Sequence, residues 1–178
     1  MWALLMVLGL NASGADKGPT RYLALGDSFT IGTGSTPDLC FPSQLKRLLL
    51  KRGVDVRLEN VAVNGYSTHE VIDRELEALA RFKPDTVTLA IGANEQPDWS
   101  QSPVAAGFGE PAALRRRIEA YNAILQEEAL AVGATFVDLF PQFVEQAKQG
   151  LLAPDGLHPS SKAYAFWAES LKDRFLAK

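Results

Sequence analysis

The sequence predicts an α/β protein of three layers, a parallel sheet with helices packed on both faces. Three observations predict it. Short apolar or β-branched runs alternate with helix-period segments from Arg21 to Phe175. Three of the strand-like runs are followed by small or polar turn residues: Gly26-Asp27-Ser28, Asn64-Gly65 and Gly92-Ala93-Asn94. The chain has 178 residues, 47% hydrophobic and 22% charged, which suits one domain built on one core.

The elements follow in order. Trp2 to Leu10 is a short apolar stretch followed by Asn11-Ala12-Ser13-Gly14-Ala15, which resembles a signal-peptide core with a cleavage site after Ala15. Residues 1–15 are therefore read as a leader and 16–178 as the catalytic domain, with a secreted or periplasmic location expected and a cytoplasmic one the alternative. No Lys or Arg precedes the stretch, so an apolar tail lying on the domain, or a misplaced start, stays open. The stretch is too short to span a bilayer.

Strand one is expected at Arg21 to Leu25, strand two at Val54 to Asn60, strand three at Thr86 to Ile91 and strand four at Thr135 to Leu139. Between the first two, Pro42 opens a helix with Leu45, Leu48 and Leu49 on its buried side. Ser67 and Glu70 form a capping-box pattern for the next helix, in which Ile72, Leu76 and Leu79 recur at helical spacing. It ends before Pro84. Pro111 opens a long third helix that Gly133 ends, with Leu114, Ile118, Tyr121, Leu125 and Val132 as its buried stripe and Arg115-Arg116-Arg117 on its solvated flank. A shorter helix is expected over Gln142 to Lys148. The last starts near Ser160 and buries Tyr164, Trp167, Leu171 and Phe175. Right-handed crossovers then order the four strands 2-1-3-4.

Ser28 stands at the carboxyl end of strand one, where open α/β sheets bind ligands. Asp155 and His158 are three residues apart before the last helix, so one loop can hold a carboxylate against an imidazole. A nucleophilic serine needs such a base, and the base needs a third group to orient it. Each half also has a plainer reading, Asp27-Ser28 as a turn or helix start and the Asp155 loop as a lead-in to Ser160. What tips the balance is that Asn64-Gly65 and Gly92-Ala93-Asn94 fall on the same side of the sheet.

These four segments resemble the blocks of the GDSL, or SGNH, hydrolase family, with Ser28, Gly65, Asn94 and His158 at its four motif positions and Asp155 as the acid of its D-x-x-H pair. The resemblance runs from about Arg21 to Phe175, and includes Tyr121-Asn122 and Phe136-Val137-Asp138-Leu139. It implies a flavodoxin-like fold and an acyl-enzyme on Ser28, with His158 as base and Asp155 as its orienting acid. It also implies an oxyanion hole made by the Ser28 and Gly65 backbone N–H groups and the Asn94 amide. Three departures stand out. Glu95 replaces the usual Asp, Ala163 stands where Gly is common, and the stretch from Glu95 to Glu110 is too short for the helix and strand that the family fits there. The family's sheet has five strands. Strand four is therefore expected to close up beside strand three, or else to leave a gapped sheet.

Other chemistries are poorly served. Two histidines, one cysteine and no H-E-x-x-H argue against a catalytic metal, and no G-x-S-x-G elbow occurs. Gly32-Thr33-Gly34 lacks the third glycine of a dinucleotide loop and reads as the turn after the nucleophile; no cofactor is expected. His69 reads as an exposed helix residue. A net charge of −3 offers no basic face to nucleic acid. Cys40 is the lone cysteine, so no intrachain disulfide can form, and it reads as a small core residue near Phe41. The expected partner is a small ester or thioester, with the chain a monomer. Tyr66, Trp99 and Phe108 are candidate substrate-binding residues. The first expectation is a lysophospholipase-like esterase or thioesterase, the second a carbohydrate O-acetyl esterase. A reading from another class is an inactive binding module that keeps the crevice.

Overall fold

A computed structural model describes residues 5–9, 18–94 and 111–176. Among them lie five strands: β1 (Leu5–Gly9), β2 (Thr20–Gly26), β3 (Val56–Asn60), β4 (Thr86–Ala90) and β5 (Thr135–Val137). They form one sheet in the order β3-β2-β4-β1-β5. β2 pairs in parallel with β3 and with β4, as the first three expected strands should.

The fourth expected strand, now β5, does not lie beside the third. That place is taken by β1, which runs antiparallel to both β4 and β5. The physical reason is backbone pairing: a gap one strand wide would leave donors and acceptors on both sides unpaired, and a short apolar segment can fill it. A run of this length cannot be told from a leader core by composition, because both need only a few consecutive apolar residues. Since β1 holds the vacant position, β5 and everything after it keep their distance from β4. The shift of one strand spacing that a closed-up sheet would impose on Asp155 and His158 does not arise.

Alternation along β2 builds both faces. Tyr22 and Ala24 point to one side, where they join Phe29, Phe41, Leu45, Trp167 and Leu171 in the larger core cluster. Leu23 and Leu25 point to the other, with Ala78, Phe82 and Val87. The larger cluster is covered by α2 (Phe41–Leu50), α6 (Phe140–Lys148) and α7 (Ser161–Leu176). Trp167 lies at its centre, with Phe29 stacked on it at 6.2 Å and Phe143 and Tyr164 edge-on. Tyr164, Trp167, Leu171 and Phe175 are all buried, as their spacing requires, and so is Cys40 beside Phe41.

Two helices depart from their expected stripes. After the short α3 (Thr68–Glu70) comes a π-helical turn, Val71–Glu75, and then α4 (Glu77–Phe82). Its buried residues are Val71, Glu75, Ala78 and Phe82, while Ile72 is 61% and Leu76 38% exposed. A carboxylate therefore occupies a core-facing position, and apolar spacing alone picks the neighbouring stripe. In α5 (Pro111–Ala131), Ile118 is buried, but so are Asn122 and Ala129, whereas Tyr121 is 44% and the following Val132 63% exposed. The Asn122 amide is buried because it donates to Asp138 Oδ1 at 3.1 Å, which satisfies a polar group where the pattern called for an apolar one. Arg115, Arg116 and Arg117 are exposed, as expected of a solvated flank.

Candidate active site

β2 ends at Gly26, and the chain turns at once into α1 (Ser28–Ile31). Asp27 caps that turn, its Oδ1 accepting the Phe29 N–H at 3.0 Å. Phe29 then sinks into the core against Trp167. With the cap on one side and the anchor on the other, Ser28 is held at the sheet's carboxyl edge, 7% exposed.

The second piece is a loop tied to itself. Ala153 N–H donates to His158 O at 2.8 Å, Gly156 N–H to Ala153 O at 2.9 Å, and Ser160 N–H to Leu151 O at 3.0 Å. Inside it, Asp155 Oδ1 accepts the Leu157 and His158 N–H groups, each at 2.9 Å. Asp155 Oδ2 lies 2.8 Å from His158 Nδ1. On the far side of the ring, His158 Nε2 lies 2.9 Å from Ser28 Oγ. Partial burial pushes the Asp155 carboxyl up, but the His158 and Leu157 N–H groups and the imidazole outweigh it and hold the carboxyl below its ordinary value. Asp155 is thus kept ionised beside the ring. The orienting contact is local, as its spacing predicts, and only Ser28 is brought from 130 residues away by the fold.

The third piece faces the serine. Val63, Asn64, Gly65 and Tyr66 make a turn closed by Tyr66 N–H to Val63 O at 3.3 Å. Gly65 has φ +80, the left-handed region in which a side chain is strained. The direction its Cβ would take is open. Among the described residues, neither the Ser28 nor the Gly65 N–H has a hydrogen-bond acceptor. Asn94 Nδ2 donates to Tyr66 O at 2.9 Å and, at a longer 3.4 Å, to Asp27 Oδ2. It ties the end of β4 to the Gly65 turn and to the nucleophile's cap.

Of the sequence-derived candidates, Ser28, Gly65, Asn94, Asp155 and His158 converge here, with Tyr66 alongside. Trp99, Phe108 and Glu95 lie outside the described residues, as does the rest of the Glu95 to Glu110 stretch. His69 is exposed and pairs with Asp73 at 3.2 Å, well suited to a solvated helix face. No cluster of three metal-ligating side chains occurs among the described residues. No described helix is long and apolar enough to cross a membrane.

Two residues escaped the sequence reading. Gly34 was placed only as part of a turn, yet it lies directly against the His158 loop. Glu75 gives little signal in the sequence, because a charged side chain on a helix is ordinarily solvated. A carboxylate interrupting the apolar stripe Val71, Ala78, Phe82 was the signal available for it.

Residues 24–108 match the GDSL-like Lipase/Acylhydrolase family, a span that takes in Ser28, Gly65 and Asn94. Over that span the chain is similar to GDSL-like acylhydrolases. The Asp155 and His158 pair lies beyond the matched span, and the fold brings its imidazole against Ser28. An arylesterase of Vibrio mimicus is 25% identical over 186 residues, covering 93% of either chain. Among solved structures, the psychrotrophic esterase EstA from Pseudoalteromonas sp. superposes with a TM-score of 0.65 at 19% identity, over 89% of this chain and 100% of that one. A family 3 carbohydrate esterase of Clostridium thermocellum gives 0.53 at 18% identity, over 90% and 100%. These two likenesses bear on the fold.

Proposed function

We propose that this GDSL-like protein is a serine esterase that cleaves carboxylic esters or thioesters through an acyl-enzyme on Ser28. The observation that carries the reading is the unbroken chain of contacts from Asp155 Oδ2 to His158 Nδ1 and from His158 Nε2 to Ser28 Oγ, at 2.8 and 2.9 Å. The Asp155 carboxylate holds the imidazole with its proton on Nδ1, which leaves Nε2 free to accept. As Ser28 Oγ attacks the acyl carbon, Nε2 takes its proton and the carbonyl oxygen becomes an oxyanion. The Ser28 and Gly65 N–H groups are free to receive it. Asn94 joins them by giving up its longer contact, the 3.4 Å one to Asp27, while keeping the bond to Tyr66 O. His158 then protonates the departing alcohol or thiol, and water, deprotonated by the same nitrogen, releases the acid.

Within that class we favour an acyl ester or thioester of the lysophospholipase type, with Tyr66 beside Gly65 offering an apolar surface. Aryl esters are convenient probes of it, and the arylesterase relative favours their use. The test is labelling with a fluorophosphonate, a reagent of the same phosphonate chemistry as the monoethylphosphonate that inhibits EstA. One label per chain at Ser28, lost in Ser28→Ala and slowed severely in His158→Ala, is the expected result. A wild-type chain that takes no label and hydrolyses no aryl ester is instead the inactive binding module.

A further inference from the structure

Glu75 is 2% exposed, on the face of its helix that packs against the sheet. Burying a carboxylate is unfavourable unless something binds it. Two apolar neighbours, Ile72 and Leu76, are left facing solvent while it occupies the interior. The π-helical turn Val71–Glu75 that delivers it is itself a departure from regular helix geometry, of a kind concentrated at functional sites. When local rules are broken in this way, the compensation usually lies in function.

What the carboxylate touches identifies that function. Glu75 Oε2 accepts the Gly26 N–H at 2.8 Å, and the Val63 N–H also faces the carboxylate and favours its ionised form. Gly26 lies two residues before Ser28, and Val63 two residues before Gly65. The two strand ends are further joined by Val63 N–H to Gly26 O at 3.3 Å. Glu75 thus stands behind both turns that present backbone donors to the crevice. Its Oε1 has no hydrogen-bond partner among the described residues. Resting on the serine-esterase reading, we propose that Glu75 is a positioning residue of the reaction: from inside the fold it sets the spacing between Ser28 and the Gly65 N–H.

The argument turns on an acceptor of the right length, so the test compares Glu75→Gln, which keeps a carbonyl for Gly26, with Glu75→Met, which matches its length and has none. Each is assayed for kcat and KM on an aryl ester and for the rate of fluorophosphonate labelling, with circular dichroism to confirm folding. The Met variant should lose kcat and labelling rate by about 10- to 100-fold, with KM within about twofold, because misplacement acts on the reacting geometry. The Gln variant should recover to within about threefold of wild type. Equal losses in both variants, a loss confined to KM, or a folded Met variant as fast as wild type would each overturn the proposal. If the Met variant does not fold, Glu75→Asp, one methylene too short to reach Gly26, takes its place with the same outcomes. Should wild type itself neither label nor turn over, the serine-esterase reading fails and this proposal with it. Normal wild-type labelling alongside an unaffected variant removes the Glu75 proposal alone.

Discussion

The Cβ that Gly34 lacks would stand 3.0 Å from the Cβ of His158, 2.6 Å from that of Ala153 and 2.9 Å from Pro159 O. Contacts this short do not survive, so either the turn after α1 or the histidine loop would have to move. Around this point the two segments are pinned by Tyr164 Oη donating to Thr33 O at 2.9 Å and by the Ser35 and Ser161 hydroxyls at 2.6 Å. A methyl at Gly34 therefore pushes the imbalance into the Ala153 to Pro159 loop, and Gly34 has φ +86 besides. Gly34→Ala should lower kcat by about 10- to 100-fold with a smaller change in KM, since His158 is displaced from Ser28 and the Gly65 side of the site is untouched. Unchanged turnover would mean that the loop yields without moving the imidazole.

Asn94 tests the oxyanion assignment. Its amide bonds Tyr66 O and Asp27 Oδ2 in the resting site, so a purely structural role would appear as lost stability with substrate binding and turnover altered together. An oxyanion donor behaves otherwise, because its bond to substrate strengthens only as the tetrahedral intermediate forms. Asn94→Ala should lower kcat about 10²- to 10³-fold while KM for a short aryl ester stays within a few-fold. A rise in KM at unchanged kcat would make Asn94 a substrate-binding residue.

Glu75 also links stability to pH. Burial, aided by the charge of Asp27 and opposed by the Gly26 and Val63 N–H groups, lifts its carboxyl from 4.5 to about 7. Between those values the folded protein keeps a proton that the unfolded chain has released. The contribution is therefore full below pH 4.5 and is lost as pH rises to about 7. Across that window wild type should lose on the order of 2 kcal/mol relative to Glu75→Gln, which cannot ionise. Melting temperatures of the two proteins from pH 4.5 to 8 check this, and a constant difference across the range would show that Glu75 does not titrate there.

Much of the site was legible because its parts are local in sequence. Asp155 and His158 meet inside one loop, Asn64-Gly65 makes its own turn, and Ser28 needs only a strand end and the Asp27 cap. The α7 stripe was legible for a similar reason: Tyr164, Trp167, Leu171 and Phe175 all present large apolar bodies, and no charged residue of the helix competes for the buried face. In the α3 to α4 segment apolar spacing picks the wrong stripe, since Glu75 takes the buried position and Ile72 and Leu76 turn outward. In α5 the pairing of Asn122 with Asp138 depends on where β5 ends, and spacing within the helix carries no information about that. β1 was hidden most completely, because what makes Leu5–Gly9 a strand is the vacancy between β4 and β5 rather than anything in the segment itself.

That vacancy makes the N-terminal segment the most consequential part of the sheet. Met6 to Gly9 pair with Leu89 to Thr86, and Leu5 to Val7 pair with Val137 to Thr135. Cleavage after Ala15, as a leader peptidase would make it, removes every one of these pairings. β4 and β5 would then face each other across a gap too wide for hydrogen bonds, and each buried orphan group costs about 1–3 kcal/mol. Against a typical total of about 5–15 kcal/mol, such a loss is severe. β5 leads into α6 and from there to the Asp155 to His158 loop, so the damage reaches the site as well as the core. A chain lacking residues 1–15 should therefore melt at least about 10 °C below the full chain. Its fluorophosphonate labelling at Ser28 should slow in parallel, because the imidazole is no longer held against the serine. Adding a synthetic peptide of residues 1–15 in trans should restore part of both. A truncated chain with unchanged melting and labelling would show that β4 and β5 hold their places without β1, and that the segment is a dispensable leader.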